Sequence, residues 1–327
     1  MTNESLAGYA NLSLYSAMAV FTIAMVCHAI YLAALLPARD QLRGQAVDRD
    51  SELVTAGAGA GSGVGGPPLP TRPTEGELSS RARTAAGIAA STTWLGGFLL
   101  VLSVALRGLA VHRWPLGNMF EFAVMGSMFT VLAYSIWSTR RDLRWLGLFI
   151  TGPVLLVLGM AVAVWYTEAS ELMPSLRSYW LVIHVTVATL ATAVFTIGAA
   201  LTAVYLLKDA FERSGRASVL DRFPETPAIE RTAYSLHIVA FPLWTFTLIA
   251  GAIWARQAWA SYWNWDPKEV WTFVIWVVYA AYLHSRATSG ISRQTASFIA
   301  LAGYACIIVN FAVVNVFFVG QHSYSGL

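Results

Sequence analysis

The sequence predicts an all-α fold, a polytopic membrane helix bundle of about eight transmembrane helices with both termini outside. Three observations lead there. The 327 residues are 57% hydrophobic and only 12% charged, with a mean hydropathy of +0.57, whereas an ordinary soluble domain is charged at about a quarter of its positions. Eight runs are apolar over the roughly 20 residues that a bilayer crossing needs. Finally, strict alternation of these runs from an outside N-terminus leaves only Arg107, Arg113, Arg177, Arg256 and Lys268 of the 21 basic residues outside, as the positive-inside rule asks.

In chain order the spans fall near 13–36, 89–111, 119–137, 145–165, 179–207, 235–256, 270–285 and 296–319. Residues 1–36 form the first membrane helix, which lacks a basic leader and is expected to stay as a span. Residues 37–88 form an inner loop; its stretch 56–77, rich in Gly and Pro, has too little apolar surface to repay the entropy of ordering, and reads as a flexible tether. Residues 89–178 carry the next three helices and 179–327 the last four. The net charge of +3 gives no reason to expect nucleic acid. Cys27 and Cys306 lie alone within spans, without the spacing of a disulfide framework or thiol relay.

The stretch Gly251 to Trp271, GAIWARQAWASYWNWDPKEVW, holds five tryptophans between two spans. A membrane-interface aromatic belt is the plain reading. A cluster this dense also suits a large planar apolar ligand, with Trp254, Trp259, Trp263 and Trp265 as its platform. Trp259 and Trp263 stand four apart, so a helical turn would place them on one face. Asp266-Pro267-Lys268-Glu269 reads as an N-cap, a first-turn proline and a capping-box acid, which gives Asp266 a scaffolding task at the head of the seventh helix.

His184, at the outer end of the fifth span, and His322, just beyond the eighth, flank that segment on the same face of the membrane. Each alone could be a hydrogen-bonded helix-end residue; together they could bind one iron from opposite sides. Zinc would want more ligands than they supply. His284 ends the seventh span on the inner side, as a ligand or as a snorkelling helix-end group, and His237 begins the sixth on that side as its candidate neighbour. His28 and His112 read as structural. Glu121 and Asn118, at the outer start of the third span, either touch a ligand or cap the helix.

The run Trp254 to Trp271, the YLHSR at Tyr282 to Arg286, and the closing Asn315, Gly320, His322, Ser323 and Tyr324 resemble the CcsA/ResC family of haem-handling proteins in System II cytochrome c maturation, called CcsB in actinobacteria. Their signature is a tryptophan-rich WWD segment between two outward-facing histidines. The resemblance is strong from about residue 180 onward and otherwise confined to WPLGNMFEF at Trp114 to Phe122. Two departures stand out: Ala260 occupies an expected glycine, and His237 is not a standard family ligand.

The resemblance implies that His184 and His322 ligate b-type haem on the outer WWD surface, with Trp254, Trp259, Trp263, Trp265 and Asp266 around it. It also implies that His284 ligates haem on the inner side, beside a histidine from a ResB-type membrane partner. The chain would then be the cell-membrane component of a cytochrome c synthase, or haem lyase, which presents haem for thioether attachment to apocytochrome c carrying CxxCH. Haem delivery without ligase activity and a b-type membrane electron carrier are the alternatives. A small-molecule transporter fits less well, because the chain has few polar residues near the midplane.

Overall fold

The computed structural model describes residues 3–35, 80–172, 177–215 and 218–322. The Gly/Pro-rich stretch 56–77 and the closing Ser323 and Tyr324 lie outside the described residues. The described chain is helical throughout: α1 (Glu4–Ala34), α2 (Ser80–Val111), α3 (Met119–Ser138), α4 (Gly147–Ala163, entered by the turn Arg144–Leu146), α5 (Tyr179–Arg213), α6 (Thr226–Trp259), α7 (Pro267–Ala287) and α8 (Arg293–Ile308). After α8 the chain passes through a π-helical turn, Val309–Val314, and closes with the short α9, Asn315–Phe317.

Helices stand at all eight expected places, and seven are long and apolar enough to cross a membrane; the chain is a multi-pass membrane protein. The other, α7, is long enough, but its tryptophans and tyrosines and the pair His284 and Arg286 dilute its apolarity. Several helices outrun the predicted spans. α2 starts nine residues before its span, at Ser80, and α6 starts at Thr226, because a helix continues past the hydrocarbon that hydropathy registers.

Short polar residues set the helix starts. Asn3, Asn118, Ser178, Asp266 and Ser292 each accept a backbone N–H of the helix they precede, satisfying donors that the helix cannot.

α1 lies along α2, and α3 and α4 complete the first half; α5 lies along α6, with α7 and α8 beside them. α3 against α5 joins the halves. Successive helices run antiparallel. At one end Asn3 N donates to Ala110 O at 2.9 Å and Ser178 Oγ to Gln257 Oε1 at 2.7 Å. At the opposite end Gln294 Nε2 donates to Asp209 Oδ2 at 2.7 Å, and Arg286 pairs with Glu230 at 2.9 Å. One apolar core fills the first half and reaches into α5; another lies among α5 to α8 around Phe195, Trp244 and Tyr279. Phe311 of the π-helical turn spans the halves, stacking on Phe122 at 5.2 Å and meeting Trp165 edge-on at 5.0 Å.

Candidate functional site

The tryptophans are divided between a helix end and a link. α6 stops at Trp259, where Ala260 takes the left-handed conformation (φ 59°, ψ 15°) and its carbonyl accepts from Arg256 Nη1 at 2.6 Å. Trp259 and Trp263 therefore do not share a helical face, which corrects the expectation from their spacing. The left-handed cap explains why a glycine suits position 260, since a Cβ is disfavoured there. Trp254 and Trp259 pack edge to face at 4.7 Å on the last turns of α6, while Trp263 and Trp265 meet at 5.9 Å in the link. Glu269 fastens that link by accepting from the backbone of Asn264 and Asp266.

His184 is seated from α5 onto α6. Its Nδ1 lies 3.0 Å from Thr247 O, and a carbonyl only accepts, so Nδ1 carries the proton and Nε2 the lone pair. The imidazole lies nearly parallel to Trp254, at 6.0 Å and 10°. Gly251, one turn beyond Thr247, makes the seat: a Cβ there would stand 2.8 Å from His184 Cε1.

His322 reaches the same tryptophan from the far end of the chain. Its Nδ1 is 2.9 Å from Asp266 Oδ1, and its ring meets Trp254 edge-on at 5.7 Å and Trp259 at 4.8 Å. Asp266 is both the N-cap of α7, in a capping box with Glu269, and the acceptor for the backbone of Gln321. Burial opposes its charge, but the hydrogen bond with His322 and the N–H groups of Lys268 and Gln321 outweigh it, holding the carboxyl below its ordinary range. Gly320 lets the tail approach, since a Cβ there would overlap Asp266 Oδ2. A carboxylate behind an imidazole orients it and raises its basicity as a metal ligand.

Both histidines line one cavity of about 570 Å³, with Trp254 between them and Tyr262 and Trp263 at the same end. That volume lies in the range of small-molecule and cofactor sites. The walls come from α3 to α8 and are mainly apolar; the floor reaches Thr196 and Tyr304, whose hydroxyls are 3.0 Å apart.

The other expected residues fall elsewhere. Glu121 is buried and occupied: it pairs with Arg107 and Arg113, both at 2.9 Å, and accepts from Gly117 N at 2.7 Å. Asn118 caps α3 and borders the cavity. Trp265 is 77% exposed. His237 is enclosed by Phe195, Tyr279 and Tyr282, with Nε2 3.2 Å from Thr202 Oγ1. His284 is exposed near the end of α7. Thr247, Gly251, Trp165 and Lys268 belong to the site without having been singled out as part of it; a glycine inside a span opposite a histidine-bearing helix was the one available sign.

A family model described as cytochrome C assembly protein matches residues 114–322. The chain belongs to that family. Cytochrome c biogenesis protein CcsA of Chlamydomonas reinhardtii is 32% identical over 236 residues, 70% of this chain and 66% of that protein. The CcsA of Parasynechococcus marenigrum (strain WH8102) is 30% identical over 276 residues, 76% of this chain and 88% of its own length. That of Mesostigma viride is 29% identical over 253 residues, 69% and 82% of the two chains. The solved structure of Cytochrome c Heme Lyase CcmF shares the fold, with a TM-score of 0.59 and 15% identity over 95% of this chain, which spans 47% of that one. This CcsA-family cytochrome c biogenesis protein thus keeps Trp254, Asp266 and both cavity histidines inside the matched region, while α1 and α2 precede it.

Proposed function

We propose that the chain is the membrane component of a cytochrome c synthase, which receives haem across the membrane, holds it at the tryptophan end and presents it to apocytochrome c. The carrying observation is that His184 and His322 each have Nδ1 anchored on an oxygen and share one cavity with Trp254. In this reading Nε2 of each imidazole faces the iron as axial ligand. Trp254 backs both rings, and Trp259 and Trp263 with the exposed Trp265 shield an apolar face of the porphyrin. Membership of the cytochrome c assembly family supports a role in cytochrome c maturation, and the basic-residue distribution supports placing this end outside the cell membrane.

The proposed substrates are haem and an apocytochrome carrying CxxCH. Each thioether forms by addition of S–H across a vinyl C=C, with sulfur and hydrogen both retained, so no leaving group needs an acid from the protein. The residues contribute position: two imidazoles hold the ligand in one plane, and orientation of this kind lowers a barrier by several kcal/mol in well-aligned systems. The incoming CxxCH imidazole replaces one of them, which releases product.

On the opposite side, His284 is the ligand for haem entering the chain, completed by a histidine of a ResB-type partner. Its exposure supports this, whereas the ring of His237 is closed in by aromatic neighbours. Purifying the chain with and without that partner and recording a reduced haem spectrum tests the proposal. In the chain without the partner, bis-imidazole haem that disappears when both His184 and His322 are replaced is expected; an unchanged spectrum in that double variant would overturn it.

A further inference from the structure

Lys268 lines the same cavity, in the first turn of α7. A cation is disfavoured at a helix N-terminus, where backbone N–H groups already concentrate positive charge. Its Nζ donates to the carbonyl of Asn310, in the π-helical turn, at 2.8 Å. An ammonium has three N–H donors, so two remain, and among the described residues Lys268 makes no ion pair. Glu269, its charged neighbour on the cavity wall, has Oε2 committed to the backbone of Asn264 and Asp266. Asp266 serves His322, Gln321 and the Lys268 backbone.

A second donor is unmatched in a residue of the cavity wall. Trp254 is 1% exposed, and its indole Nε1 is buried with no acceptor among the described residues. Buried donors without acceptors are costly. A mainly apolar cavity with a cation in its wall that keeps two donors free is complementary to a ligand that is apolar over most of its surface and carries an anionic oxygen group. Asn310 supports the arrangement: its Nδ2 donates to Thr272 Oγ1 at 3.1 Å, while that hydroxyl donates to Lys268 O, so the π-helical turn and the head of α7 are locked together beneath the ammonium.

We infer that Lys268 is the carboxylate anchor of this cavity. Resting on the haem reading above, the group it takes is a haem propionate, and the anchor sets which edge of the macrocycle faces out. With a propionate drawn toward the head of α7, the vinyl edge is turned to the opposite side, where the thiols must arrive.

The test compares haem with haem dimethyl ester, whose carboxylates carry no charge, added to membranes holding the full chain or its Lys268→Met or Lys268→Arg variant. The wild type should bind haem about tenfold more tightly than the ester, the size of one charge-assisted hydrogen bond. Lys268→Met should lose that preference by weakening haem alone, with the bis-imidazole spectrum kept, and Lys268→Arg should retain most of it. Equal affinity of the wild type for both ligands, or an equal loss for both in Lys268→Met, would overturn the anchor and leave the haem reading standing. Absence of a bis-imidazole spectrum with either ligand in the wild type would instead remove the haem reading, and the anchor with it.

Discussion

Gly251 and His184 are in contact across two helices so closely that the glycine has room for nothing but hydrogen: a Cβ at 251 would stand 2.8 Å from Cε1 and 3.0 Å from Nδ1 of the imidazole. The same stretch of α6 supplies the Thr247 carbonyl that fixes the tautomer. Gly251→Ala should therefore push the ring off both Trp254 and Thr247. The ring is the free end of a side chain, so it gives way before the backbone does. Membrane levels of the protein should stay near wild type while matured cytochrome c falls by about tenfold or more, the lower range for loss of support behind a metal ligand. Immunoblotting and a covalent-haem stain on the same membranes check this; a parallel loss of both signals would mean that Gly251 serves packing only.

Asp266 joins three things, the start of α7, the Gln321 backbone and the His322 ring. Asp266→Asn keeps a capping oxygen but removes the charge behind the imidazole. It should weaken haem binding by about ten- to a hundredfold with little loss of protein. Asp266→Ala should in addition destabilise the α7 start by about 1 kcal/mol. Gly320→Ala, which would drive a methyl into Asp266 Oδ2, should resemble the Asn variant. Haem titration of each variant against its thermal midpoint separates the two effects.

Trp254 and Trp265 stand at opposite extremes, 1% and 77% exposed. Trp265→Ala should lower haem occupancy with the bundle intact. Trp254→Ala opens a void at the centre of the site and should cost about 3–5 kcal/mol of stability, so the protein itself should decline. If Trp265→Ala left haem occupancy at wild type, that ring would belong to a membrane-interface belt rather than to the ligand platform.

Much of this architecture was readable because it is local. The apolar runs located every helix, and Asp266-Pro267-Lys268-Glu269 announced its capping box, since all its partners lie within one turn. The break at Ala260 was not readable, because nothing in an alanine signals a left-handed residue, and the Trp259–Trp263 spacing then suggested a face that does not exist. Glu121 looked open to a ligand for a similar reason: its cap to Asn118 is local, but Arg107 reaches it from another helix. The joint placement of His184 and His322 beside the tryptophans was legible, whereas the Thr247 and Gly251 seat is a contact between helices and leaves no spacing pattern.

His284 and His237 should also separate. His284→Ala removes an exposed side chain and should leave stability unchanged within about 0.5 kcal/mol, while haem on the side of the membrane opposite the tryptophans is lost from the complex with the partner. His237→Ala leaves a hole among Phe195, Tyr279 and Tyr282 and should lower the thermal midpoint first. A bis-imidazole haem in the isolated chain that survives loss of His184 and His322 and vanishes with His237→Ala would reassign the second inner ligand to this chain.

The most direct measurement of the central claim is covalent haem on a CxxCH reporter in cells that depend on this chain and its partner for maturation, with His184→Ala and His322→Ala each assayed with and without added imidazole. Each variant is predicted to abolish the reporter's haem while remaining in the membrane, and imidazole is predicted to restore part of it by filling the vacated axial position. Normal reporter haem in both variants without imidazole would contradict the account.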